Sequence, residues 1–165
     1  MGLDLEDNAA LITGEVPRNL ITRGAFTLEV LVRSNDPDGS LAVVGVSGET
    51  ADTNVPWMLR ATKGKIEAMH EVEEGRDIVA PFDVGPADDL RLLTLTRDGF
   101  GQVYRLYVNG QPAGTVRVDE APQFGDADKY LYVGPLEAVV LGLRVTGTAF
   151  SPTQAKEAYE RLRRE

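Results

Sequence analysis

The side chains with types and spacings suited to chemistry fall in a few places. The densest run of acids is Glu67-Ala68-Met69-His70-Glu71-Val72-Glu73-Glu74. Two carboxylates on one face of a strand are the equipment of a glycoside hydrolase, one as nucleophile and one as acid/base across the sugar. Glu71 and Glu73 sit two apart, so an extended chain gives them a common face. Met69 takes the preceding position on that face, no Asp assists, and Gly75 puts Glu73 and Glu74 at a turn. The stretch therefore reads as a solvated strand edge, whose charges deter pairing with another chain. His70 is the only histidine and alternates with Ile66, Ala68 and Val72, so it is expected on the apolar face. With no cysteine, no second histidine and no G-x-S-x-G elbow, no nucleophilic system is recognisable. Gly99-Phe100-Gly101 beside Asp98 has neither the length nor the Lys-Ser/Thr ending of a phosphate loop.

Binding chemistry has more to work with. Three loops concentrate oxygen ligands: Asn35-Asp36-Pro37-Asp38, Asp52-Thr53-Asn54 and Asp126-Ala127-Asp128. Hard cations take such ligands, and calcium is the ion they suit. Asp52, Asn54 and Asp126 are the candidate metal ligands. None of the loops has the EF-hand spacing with its closing Glu, and Asp and Asn are also ordinary turn residues because their side chains close Asx-turns. Sugar binding needs an aromatic platform and planar polar groups at a groove. Trp57, Tyr104, Tyr107, Tyr130 and Tyr132 fall on expected strands, where core packing is the default. Tyr104 and Tyr107 have an odd separation and point to opposite faces. Phe82, Phe100 and Phe124 lie in or near expected loops, where exposure favours binding. Trp57, Phe82, Phe100 and Phe124 are the candidate ligand contacts.

The elements that must position these residues are mostly strands. Phe26 to Arg33 is apolar at 26, 28, 30 and 32 with Thr27 and Glu29 between, a period of two and one buried face. Leu41 to Val46, Trp57 to Thr62, Lys65 to Val72, Leu90 to Arg97 and Val103 to Val108 follow, with Lys63-Gly64 and Asn109-Gly110 as hairpin turns. Gly114 to Val118, Tyr130 to Val133, Val139 to Val145 and a weak Leu11-Ile12-Thr13 complete the set. About ten or eleven short strands separated by Gly, Pro and Asp turns favour an antiparallel sandwich over strand–helix alternation. One helix is expected, over about 152–163. Ser151-Pro152-Thr153-Gln154 reads as N-cap, proline at the first helical position and Gln at the third. Ala155, Ala158, Tyr159 and Leu162 then form an apolar stripe that docks on the sandwich.

Composition narrows the partners. The chain has 165 residues, 17 Lys plus Arg against 26 Asp plus Glu, and a formal charge of −9. That balance excludes nucleic acid, whose phosphates need a basic patch, and disfavours anionic membrane surfaces. No apolar run reaches the roughly 18 residues of a membrane span. The acidic N-terminus, Met1 to Asn8, lacks the basic and apolar regions of a signal peptide. The basic residues are lopsided, 13 Arg to four Lys. Their scatter along the chain fits a genomic or thermal bias better than a phosphate site. One domain spanning 1–165, with its core over about 10–150, is the expectation.

The ordered strand series also carries a resemblance. Phe26-Thr27-Leu28-Glu29-Val30-Leu31-Val32 comes first. Leu93-Thr94-Leu95-Thr96-Arg97-Asp98-Gly99 leads to Arg105-Leu106-Tyr107-Val108-Asn109-Gly110. Leu131-Tyr132-Val133-Gly134, Gly142-Leu143-Arg144-Val145 and Phe150-Ser151-Pro152-Thr153-Gln154-Ala155 follow. This series resembles the LamG-like jelly rolls of the concanavalin A-like lectin/glucanase superfamily, over roughly residues 10 to 163. Two departures stand out. Leu90-Arg91 replaces a usual Trp-His, which alters packing rather than class, and the glucanase carboxylate pattern is incomplete around Glu71. The resemblance implies a two-sheet antiparallel jelly-roll sandwich with a C-terminal helix. It also implies a rim calcium in many lectin-type relatives.

Three functions remain open on the sequence. The first is a non-catalytic, lectin-like recognition or adhesion module that binds glycan or protein through rim loops. The second is a structural component of an assembly, such as a phage virion decoration or tail-associated protein. Its partners would be capsid or tail proteins or further copies of itself, and it would be made in the cytoplasm without a signal peptide and incorporated into the particle. The third is a glycoside hydrolase with an atypical site at Glu71 and Glu73. No nucleic acid and no membrane insertion are expected in any of them.

Overall fold

Alternation of apolar and polar residues does in three dimensions what period two requires. The structure is a computed structural model and describes residues 3–5, 11–15, 25–34, 40–47, 57–62, 65–73, 76–83, 90–99, 102–119, 130–133 and 138–164. Among them are β1 (Leu3–Leu5), β2 (Leu11–Glu15), β3 (Phe26–Ser34), β4 (Ser40–Ser47), β5 (Trp57–Thr62) and β6 (Lys65–Glu73). Then come β7 (Arg76–Asp83), β8 (Leu90–Asp98), β9 (Val103–Val108), β10 (Gln111–Arg117), β11 (Tyr130–Val133), β12 (Ala138–Thr146) and the helix α1 (Pro152–Leu162). They form two six-stranded sheets, β1-β12-β3-β8-β9-β10 and β2-β11-β4-β5-β6-β7. Every described pairing is antiparallel. This is the expected antiparallel sandwich with one C-terminal helix.

The core lies between the sheets. Phe26, Leu28, Val30 and Val32 of β3, Leu93 and Leu95 of β8, and Tyr104 and Leu106 of β9 meet Leu59, Ile66, Ala68 and Phe82 of the second sheet in one buried cluster. Each such side chain removed from water contributes about 1.5–3 kcal/mol. In β8, however, all six residues from Leu92 to Arg97 are buried. A strand buried on both faces needs a second cover. The β8 face away from the core carries Leu92, Thr94 and Thr96, and α1 packs over that side of the sheet.

Arg97 is the odd member of the inner face. It is 1% exposed, pairs in register with Phe26 and Tyr104, and its guanidinium lies 5.9 Å from the centre of the Tyr104 ring. Burial pulls its pKa below the usual arginine value, opposed by Tyr104 and Asp98.

Two strands were not expected from the sequence. β1 is three residues long with an acid in the middle, too short for periodicity to register. β7 contains Pro81, which argues against a strand interior. β7 is the edge of the second sheet, where proline's missing N–H need not pair with a further strand.

Candidate functional site

The outer face of the first sheet is built by the positions that alternate with the core. On β3 these are Thr27, Glu29, Leu31 and Arg33. The register sets Glu29 opposite Thr94 and Arg144, and Thr27 opposite Thr96 and Thr146. The Thr27 hydroxyl donates to the Thr148 carbonyl at 2.7 Å and accepts from the Phe150 N–H at 2.9 Å. One buried threonine thereby fixes the chain as it leaves β12 and turns toward the helix. Ser151 then caps α1. Its hydroxyl accepts from the Gln154 N–H, while the Gln154 side-chain oxygen accepts from the Ser151 N–H at 2.9 Å, a reciprocal capping box. Ala155 and Ala158 are buried beneath α1. The β9–β10 turn tucks under the same helix. Asn109 and Gly110 have φ of 52° and 74°, and a Cβ on Gly110 would stand 3.0 Å from the Lys156 Cα.

Seating α1 this way leaves a groove of about 700 Å³ between its outer edge and the end of β12. Phe150, Thr146, Gln154, Glu157, Arg161 and Arg164 are among its walls. The Arg144 Nε pairs with the Glu29 carboxylate across the strands, and its guanidinium lies 5.6 Å from the centre of the Phe150 ring. Both contacts hold the aromatic edge of the groove in place. Gln154 commits its amide oxygen to the cap, so its NH₂ remains a donor. Lys156 Nζ lies 3.8 Å from Glu160, while Arg161 and Arg164 have no ion-pair partner among the described residues. The groove offers an aromatic ring, hydroxyls, and planar amide, carboxylate and guanidinium groups. Planar polar groups bridge the neighbouring hydroxyls of a sugar in pairs, and an aromatic ring supplies an apolar platform.

The fold around this groove has well-matched relatives among solved structures. The chain superposes on the Ruminococcus gnavus IT-sialidase CBM40, solved free and bound to α2,3 sialyllactose, with a TM-score of 0.77 at 12% identity over 96% of both chains. It also superposes on the botulinum neurotoxin serotype D binding domain, with a TM-score of 0.73, 16% identity and 94% of this chain. A third match is the receptor-binding domain of the mosaic serotype C/D neurotoxin, at 0.70, 16% and 92%. The chain spans about two fifths of the neurotoxin domains it matches. No protein-family model matches it, nor does the sequence of any curated protein. The CBM40 is a carbohydrate-binding module and the neurotoxin domains are receptor-binding domains; at these identities the likeness establishes the sandwich fold.

The residues singled out from the sequence are distributed differently from the groove. Phe82 is corrected from an exposed loop aromatic to a core residue. β7 runs through it, it is 3% exposed, and its ring lies against Gly114. Trp57 starts β5 in register with His70, two positions before the buried Leu59. Phe100, Phe124, Asp52, Asn54 and Asp126 lie outside the described residues, as do the oxygen-rich loops. Among the described residues no three His, Asp or Glu side chains converge as a cation site. Glu71 and Glu73 pair with Asp77 and Arg76, but the register shifts between them. A register shift of this kind interrupts the regular backbone alternation of a strand. Tyr104 and Tyr107 do face opposite sides of β9, yet both are buried, at 0% and 2% exposed. Neither Phe150 nor Arg161 is singled out from the sequence as a ligand contact. The signal that marks them is Thr27 in the first core strand, because it draws Phe150 onto the sheet from 123 residues away.

Proposed function

We propose that the chain is a non-catalytic recognition module that binds a glycan in the groove between α1 and β12. The observation that carries this reading is the groove's lining, with Phe150 flanked by Thr146, Gln154, Glu157 and Arg161 in a space of about 700 Å³. That volume suits a sugar unit or two, and the mix of one ring with planar polar groups is the chemistry of sugar recognition rather than of an apolar ligand. Support also comes from the CBM40, whose whole length shares this fold and which was solved with a sialylated trisaccharide. The rim loops expected to carry binding, and the calcium expected at Asp52, Asn54 and Asp126, remain a second route to the same function.

A glycan array probed with and without Ca²⁺ tests the reading, followed by titration of the best sugar against Phe150→Ala and Arg161→Ala. Binding that weakens about tenfold or more in either variant, with the fold unchanged by circular dichroism, is expected. Binding that needs Ca²⁺ and ignores both variants moves the site to the loops. Silence on the array under both conditions overturns the reading.

A further inference from the structure

A second surface on the same face of the first sheet has a different chemistry. The two most exposed large apolar side chains among the described residues are Leu90 at 45% and Leu141 at 39%. Both fall in one corner. Leu90 is the register partner of Arg33 on the outer side of the sheet. Leu141 is the extra residue of a bulge, where the β12 register slips between Val140 and Gly142. A bulged residue leaves the in–out alternation, and here it brings a leucine to the wall of a notch of about 290 Å³. Leu31, Leu92, Leu143 and Leu162 share the apolar lining of that notch, and Glu29, Arg144 and Arg161 are its charged members, with Glu29 paired to Arg144. Arg33 is exposed beside Leu90 and, like Arg161, has no ion-pair partner among the described residues.

Single exposed leucines are ordinary, but a cluster around a concavity marks a contact surface. Among the described residues, Arg161 in the notch and Arg33 two positions along β3 from Leu31 are cations without an ion-pair partner, on a chain whose net charge is −9. The local reversal of sign selects a partner rich in carboxylates, because complementary charge steers encounter and suppresses like-charged competitors. The concavity selects a side chain rather than a flat sheet of lipid. We propose that this notch docks a protein segment that inserts one apolar side chain between Leu31, Leu141 and Leu162 while its flanking Asp or Glu residues meet Arg33 and Arg161. The notch shares Arg144 and Arg161 with the glycan groove, whereas Leu141 lines the notch alone and Arg33 lines neither.

The test is selection of random short peptides displayed on phage against the full-length protein, followed by titration of the enriched peptides. Peptides with one Leu, Ile or Phe flanked by acids are expected. They bind about tenfold or more weakly to Leu141→Glu and to Arg33→Glu, and binding weakens as salt rises. Glycan binding by both variants stays at the wild-type level, which shows that they fold. The proposal is overturned if no such consensus is enriched, or if the enriched peptides bind both variants as they bind wild type. It is equally overturned if Leu141→Glu abolishes a dimer seen by sedimentation, or abolishes binding to phosphatidylserine/phosphatidylcholine vesicles in place of peptide binding. In those cases a second copy or a lipid surface is the occupant.

Discussion

Thr27 shows how much one side chain settles. Its hydroxyl is both donor and acceptor, at 2.7 Å to Thr148 and 2.9 Å from Phe150, and it is completely buried. Thr27→Val keeps the shape and strands a carbonyl and an N–H, so a loss of about 1–3 kcal/mol is expected from urea denaturation. Its neighbours behave oppositely. The Thr94 and Thr96 hydroxyls are buried without a hydrogen-bond partner among the described residues. Thr94→Val removes an unsatisfied polar group at nearly constant volume, and is expected to raise the unfolding free energy from urea denaturation by about 1 kcal/mol. Tyr107 supplies a pH dependence. Burial raises its pKa above the usual 10, outweighing the lowering by Arg105. At neutral pH the phenol keeps its proton in both folded and unfolded chains. Above the usual value the unfolded chain releases the proton first and binds fewer protons than the folded one, so stability falls as pH rises. Tyr107→Phe is expected to flatten the decline in urea midpoint above about pH 10. An unchanged slope would exclude Tyr107 as its source.

At the scale of elements, turns and close approaches govern where α1 can sit. Gly110 has φ of +74° and its would-be Cβ meets the backbone of α1, whereas Gly114 would place a Cβ 2.7 Å from the Phe82 ring. Gly110→Ala and Gly114→Ala are both expected to cost about 1–3 kcal/mol. They differ in where the loss appears. Gly110→Ala loosens α1 and speeds hydrogen exchange there, while Gly114→Ala disturbs the β7–β10 side of the core. The capping box and the Asn109-Gly110 turn were legible in the sequence because each depends on residues within four positions of one another. So were β3, β8 and β9, whose alternation is unbroken. β7 was not, because proline's tolerance depends on a strand being at an edge, and that is a property of the sheet rather than of the segment. Phe82 was misplaced for the same reason.

For the whole molecule, the antiparallel sandwich and its helix could be read from strand spacing and the order of motifs. The groove could not. Its walls come from β12, the connection to α1 and α1 itself, and what joins them is a hydrogen bond from the Phe150 N–H to Thr27 across 123 residues of chain. Local patterns carry no trace of such a contact, so Phe150 and Arg161 were not among the candidate ligand contacts. Among the described residues no helix is long and apolar enough to cross a membrane. The acid-rich stretch on β6 is interrupted by a register shift between Glu71 and Glu73. What remains is a sheet face with two neighbouring concavities, one polar with a ring and one apolar with Arg161 among its lining residues. The most direct measurement is a chemical-shift titration of isotope-labelled protein with the best glycan from the array. The account predicts saturable shifts centred on Thr146, Phe150, Gln154 and Arg161, which disappear in Phe150→Ala. Shifts confined to other parts of the chain, or none at saturating sugar, would contradict it.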